Sequence, residues 1–198
     1  MLDGMTTTDA IKGELHRKLG EARSSILAKV AGLDEYDRRR PLTASGTNLL
    51  GLVKHLSGLE YVYLGTSFGR PPAETLAWEA DGSVWENGDM WARSDESSDY
   101  LIDLYLRAGA HGDETIAALD LDAVGSVPHW PADRSRTTLG VLLIRMVAET
   151  AQHAGHADIL RELVDGRVGA GAEVMGDQAW WDAYHARISA AAEAFRGA

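Results

Sequence analysis

The stretch Leu139-Gly140-Val141-Leu142-Leu143-Ile144-Arg145-Met146-Val147-Ala148-Glu149-Thr150-Ala151-Gln152-His153-Ala154-Gly155-His156-Ala157-Asp158-Ile159-Leu160-Arg161-Glu162-Leu163 reads as one long helix. Thr137 or Thr138 supplies a capping hydroxyl and Gly166 a terminator. Leu139, Leu142, Leu143, Met146, Glu149, His153, His156, Leu160 and Leu163 recur at the 3.6-residue period of one inward-facing stripe. Three ionisable side chains therefore fall on an otherwise apolar line. Groups of this kind are costly to bury unless they are paired, hydrogen-bonded or bound to a metal. Glu149 and His153 stand four apart, about 40° around a helix axis, so a carboxylate and an imidazole can converge on one cation.

The rest of the chain repeats the helical pattern. Ile11, Leu15, Leu19, Ile26, Val30 and Leu33 mark a first amphipathic helix from about Thr8 to Leu33. Pro41 and Ser45-Gly46-Thr47 interrupt it, and Ser45 or Thr47 can cap a second helix running to about Thr66, with His55 near its middle. Residues 71–94 carry Trp78, Trp85 and Trp91 without sustained periodicity and read as a loop lying over a bundle; loops of that length are often functional. A third helix should run from Ser97-Ser98-Asp99 to Leu119, with Gly109 and Gly112 weakening its middle. Val127-Pro128-His129-Trp130-Pro131 forms a stiff aromatic turn before the long helix. After the glycine-rich link 166–176, Trp180, Trp181, Tyr184 and Ile188 mark a last helix from about Asp177 to Phe195. No alternating strand pattern stands out. The expected fold is all-α: an antiparallel four-helix bundle with an additional C-terminal helix, one domain over residues 1–198 with a frayed start at 1–7.

Composition narrows the function. A formal charge of −11, from 30 acidic against 19 basic residues, opposes attraction to nucleic acid. Arg38-Arg39-Arg40, the densest basic cluster, reads as a solvated helix end. No segment has the roughly 20 apolar residues of a membrane span, and no signal-peptide pattern opens the chain, so a cytoplasmic protein is expected. With no cysteine, the chain has no disulfide, no thiolate ligand and no cysteine nucleophile; any sulfur chemistry needs a thiol from outside.

His55 interrupts the apolar stripe of the second helix and is the natural third partner for Glu149 and His153. Two imidazoles and a carboxylate suit zinc and leave a coordination position open, as catalytic zinc sites do. They suit ferrous iron or nickel equally well. The bland alternative is an i,i+4 ion pair between Glu149 and His153 beside a core histidine. His156, three positions beyond His153, can orient a ligand or act as acid or base. His129 and Trp130 can wall a substrate pocket, and Trp180 and Trp181 are read as core aromatics. Asp158, Arg161 and Glu162 read as surface pairs, and His16, His111 and His185 have no partner spacing.

Asn48-Leu49-Leu50-Gly51-Leu52-Val53-Lys54-His55, Glu149 through Glu162, and Trp180-Trp181 together resemble the DinB-like (YfiT-type) metalloenzyme superfamily, and within it an actinobacterial branch close to mycothiol-dependent enzymes. The resemblance covers nearly the whole chain, and the late motif is its specific part. It implies a four-helix bundle, often dimeric, with a divalent metal on His55, Glu149 and His153. A glutamate at position 149, where many relatives have histidine, is similar to the mycothiol-dependent maleylpyruvate isomerase. The implied function is a transferase or isomerase that pairs a small thiol, mycothiol, with a small electrophile, the cation lowering the thiol pKa. Two alternatives stay open: a hydrolase in which the cation activates water against an amide or ester, and a non-catalytic binding or stress-response scaffold.

Overall fold

The computed structural model describes residues 6–167 and 176–196. Its elements, in chain order, are α1 (Thr7–Val30), α2 (Glu35–Arg39), α3 (Leu49–Leu64), α4 (Ala77–Ala80), α5 (Ser98–Ala118), β1 (Val124–Ser126), β2 (Arg136–Thr138), α6 (Leu139–Asp165) and α7 (Gln178–Glu193). The long helices α1, α3, α5 and α6 form the expected all-α bundle. Thr6 accepts from the Asp9 amide while Asp9 accepts from the Thr6 amide, so Thr6 and Thr7 form a capped helix start where fraying was expected. Residues 1–5 and most of the glycine-rich link lie outside the described residues.

The bundle is not antiparallel throughout. Arg23 at the middle of α1 meets Glu60 on α3, and the C-terminal end of α1 packs on the N-terminal end of α3, which makes that pair antiparallel. Crossover 65–97 then carries the chain back along α3, so α5 runs parallel to it: Lys54 pairs with Glu96 at one end, and Leu64 packs over Gly112 at the other. Lys29 with Asp158, and Leu19 within the apolar cluster of Leu139 to Met146, likewise set α1 and α6 parallel. Short links produce antiparallel neighbours, and a long crossover lets consecutive helices run parallel.

Several local readings change for physical reasons. α3 is capped by Asn48, whose Oδ1 accepts the Gly51 amide at 2.8 Å, rather than by Ser45 or Thr47. The first amides of α6 are met by backbone: Leu139 donates to the Ala123 carbonyl at 2.9 Å and Gly140 to Leu121 at 2.8 Å, so Thr138 makes no side-chain cap. The hairpin behind this pairs Val124 with Thr138, Gly125 with Thr137 and Ser126 with Arg136, strands too short to print an alternation. Residues 71–94 contain the one-turn α4 and a 3₁₀ turn at Ser83–Glu86. Gly166, at φ 75°, ends α6 as read.

Charge also enters the core. The Glu60 carboxylate, fully buried, takes both Arg23 Nε at 2.7 Å and Nη2 at 2.8 Å. Gly109 and Gly112 leave room for this pair: a Cβ on Gly112 would stand 2.9 Å from Glu60 Oε2. Arg161, expected at the surface, is buried and donates to the Lys29 and Ala31 carbonyls, closing the last turn of α1. α7 forms as expected but buries no side chain, so Trp180, Trp181, Tyr184 and Ile188 are not core. The Trp180 and Tyr184 rings instead stack on each other, centroids 5.1 Å apart.

Candidate functional site

His55 on α3 faces Glu149 and His153 on α6 at mid-bundle. His55 Nε2 lies 3.7 Å and His153 Nε2 3.5 Å from the same Glu149 oxygen, Oε1. One ligand atom from each residue falls within 4.8 Å of the other two. Side chains on α6 fan outward from the core: Thr150, Ala154, Ala157 and Leu160 are buried, Glu149 and His153 sit half-buried at the edge, and His156 and Leu163 are exposed. The inward stripe read from the sequence therefore holds in the first half of α6 and slides past the functional residues in the second. The drift leaves the site at the bundle rim, open to solvent on one side.

Both imidazoles are held from behind. His55 Nδ1 donates to Asp89 Oδ2 at 2.7 Å, which leaves the Nε2 lone pair directed at the centre. His153 Nδ1 lies 3.3 Å from His156 Nδ1; with the proton on His153 Nδ1, its Nε2 keeps a free lone pair on the side of the centre, beside Glu149. The His55 and His153 rings meet edge to face, centroids 5.1 Å apart. Burial pushes the His153 pKa below the ordinary histidine value, the neighbouring His55 charge pushes it further, and Glu149 opposes both. A neutral imidazole is the form that binds a cation.

Asp89 had no signal in the sequence, being one carboxylate among several in an aperiodic segment. It reaches His55 because the crossover lies flat on α3, where glycines two turns apart share a face. A Cβ on Gly51 would stand 1.9 Å from the Met90 carbonyl oxygen, and one on Gly58 would stand 3.4 Å from Trp78 Nε1. Trp78 is buried and carries the Lys54 ammonium 4.6 Å above its ring, whereas Trp85 is 75 % exposed.

His129 and Trp130 stand further along α3, over Tyr63. Their rings lie 5.8 Å and 6.0 Å from that of Tyr63, two turns beyond His55 on α3, and the exposed Trp85 reaches His129 at 6.3 Å. The Arg145 guanidinium sits 5.3 Å from the Tyr63 ring centroid and 5.2 Å from that of Trp130. Arg145 continues the i,i+4 row of Glu149 and His153 backwards by one turn, so extending that row would have found it. His129 titrates below the usual histidine range, first through burial and then through the Arg145 charge. Trp180 and Trp181 show no place at this site. Of the histidines set aside, His16 bonds Asp113 at 2.8 Å and His111 the Arg70 carbonyl at 2.7 Å, both structural contacts.

Among the described residues no helix is long and apolar enough to cross a membrane. The solved structure of a conserved protein from Enterococcus faecalis shares the fold, with a TM-score of 0.56 at 16% identity over 83% of this chain and 100% of that one. No curated protein matches the sequence. The family model described as mycothiol-S-transferase does match, over residues 14–166, a span that takes in most of α1 and all of α2 through α6, and with them His55, Asp89, Arg145, Glu149 and His153. By that match the chain belongs to the mycothiol-S-transferase family, within the DinB/YfiT-like superfamily.

Proposed function

We propose that the protein is a divalent-metal-dependent transferase, or isomerase, that joins mycothiol to small electrophiles, with His55, Glu149 and His153 as the metal ligands and zinc as the metal. The observation that carries this reading is the convergence of those three donors within 4.8 Å in a chain of this family. The donor set fits the ion: two neutral imidazole nitrogens and one carboxylate oxygen suit zinc, and separations of 3.5 and 3.7 Å are spanned by two bonds of about 2.0–2.2 Å each. A cation bound there would supply a lowered thiol pKa at neutral pH.

The chain's own groups do the rest. Asp89 holds the His55 ring in the tautomer and orientation that present Nε2, and His156 does the same for His153 through its Nδ1. His156 thus acts as a positioning residue behind the ligand. His129 and Trp130 line the substrate side, over Tyr63. In transfer, the thiol sulfur forms a bond to the electrophilic carbon, the leaving group departs with its bonding pair, and the thiol proton passes to solvent through the open rim. The site needs a thiol co-substrate because the chain has no cysteine. Cytoplasmic location and a homodimer accompany this reading, the second tested by sedimentation.

The deciding experiment is elemental analysis of untagged protein purified without chelators, beside His55→Ala and His153→Ala, followed by conjugation of mycothiol to monochlorobimane. Near-stoichiometric zinc and turnover in the wild type, both lost in the two variants at unchanged helical content, is the expected result. Turnover that survives complete metal removal would refute the metal-dependent reading.

A further inference from the structure

Most basic side chains of this acidic protein are committed to ion pairs: Arg17 to Glu14, Arg23 to Glu60, Arg70 to Glu114 and Arg107 to Glu74 are examples. Arg145 and Arg134 are exceptions among the described residues. Together with Trp130 they line one cleft of about 230 Å³. The exposed Arg145 guanidinium rests against two rings at once, 5.3 Å from the Tyr63 centroid and 5.2 Å from that of Trp130, a contact that narrows its range of positions without using its N–H groups in an ion pair. Its nearest acidic neighbour on α6, Glu149, is turned instead towards His55 and His153. Two unpaired guanidiniums lining one cleft, one of them resting against two aromatic rings, suit a planar anion that accepts two parallel hydrogen bonds. Arg145 leaves α6 one helical turn, roughly 6 Å, from Glu149, and its guanidinium lies over Tyr63, two turns beyond His55 on α3.

We infer that the cleft between Trp130, Arg134 and Arg145 is a carboxylate-binding subsite, and that the electrophilic substrate is a carboxylate-bearing molecule whose anionic end docks on Arg145 while its reactive carbon faces the His55–Glu149–His153 centre. The reaction served rests on the transferase reading; the anion subsite itself does not. Arg145 supplies the bidentate contact, Arg134 adds charge at the mouth, and the Trp130 face receives the apolar part of the ligand. A site built this way rejects the neutral amide of the same shape, because an amide cannot accept both guanidinium bonds and carries no charge.

The test is equilibrium binding of benzoate and benzamide to metal-stripped protein, read by tryptophan fluorescence and calorimetry, so that neither turnover nor a cation contributes. Benzoate should bind roughly 10–100-fold more tightly than benzamide, the range expected for hydrogen bonds to a charged group. Arg145→Gln should abolish that preference while leaving benzamide binding alone, and Arg145→Lys should restore part of it. Arg134→Gln, which disturbs no ring contact, should weaken benzoate binding even if Arg145→Gln proves poorly folded by circular dichroism. Equal binding of benzoate and benzamide, or benzoate binding untouched in folded Arg145→Gln, would overturn the subsite. Inorganic phosphate that binds more tightly than benzoate would reassign the cleft to phosphate. With mycothiol and zinc-loaded enzyme, iodoacetate should have a lower KM than iodoacetamide, a preference absent in Arg145→Gln; the opposite order in the wild type would overturn the assignment to the electrophile. Loss of all turnover with the binding results intact would refute the transferase reading alone.

Discussion

Asp89 turns His55 from a core histidine into a directed lone-pair donor: its carboxylate accepts the Nδ1–H hydrogen bond and leaves Nε2 facing Glu149. Asp89→Asn removes that charge at nearly constant shape, and zinc affinity, measured by competition with a chromogenic chelator, should fall about 10–100-fold with the helices intact. His129 offers a second test at this scale. Burial and then the Arg145 charge lower its pKa, so its ring-proton resonances should titrate below about 6.5, and Arg145→Gln should move the midpoint back up. His129 and His153 both have folded-state values below the unfolded one. Each therefore contributes stability that is fully present above about pH 6.5 and is lost as the pH falls through the lowered value. Melts of metal-free protein should show a lower Tm at pH 5 than at pH 7.5.

At the scale of elements, the crossover reaches the site because α3 offers it a flat face. Gly51→Ala would drive a Cβ into the Met90 carbonyl, backbone that cannot step aside cheaply. The variant should lose about 1–3 kcal/mol of stability in urea unfolding. Its zinc affinity should fall as well, because Asp89 is carried by the same segment. Gly112→Ala, beside the buried Glu60–Arg23 pair, should cost a similar amount and leave zinc affinity unchanged. Reading residues 71–94 as a covering segment was sound in outline. Which carboxylate it delivers was not legible, since an aperiodic loop has no register from which to project a side chain. The i,i+4 pairing of Glu149 and His153 was legible because helical geometry is local, and His55 because it broke an apolar stripe.

Across the whole molecule, the bundle and its site are built from α1 to α6, and α7 adds no buried side chain. Deleting residues 177–198 should leave the Tm within a few degrees of the full chain and zinc binding unchanged, checked by calorimetry and metal titration. The Arg23–Glu60 pair ties α1 to α3 inside the core, and Arg23→Ala, which strands a fully buried carboxylate, should cost about 3–5 kcal/mol.

Periodicity, composition and spacing by themselves determined the number and extent of the long helices, the absence of a nucleophilic thiol, and the pairing of Glu149 with His153 around His55. These are properties of short stretches, where a 3.6-residue repeat fixes which side chains share a face. Only the tertiary structure decided that α3 and α5 run parallel, that Asp89 and His156 hold the two imidazoles, that Arg161 closes α1, and that Arg145 rests unpaired against Tyr63 and Trp130. Each of these joins residues far apart in the chain or depends on how far α6 rotates out of the core along its length. Such contacts follow from how whole elements pack, and no local pattern records them.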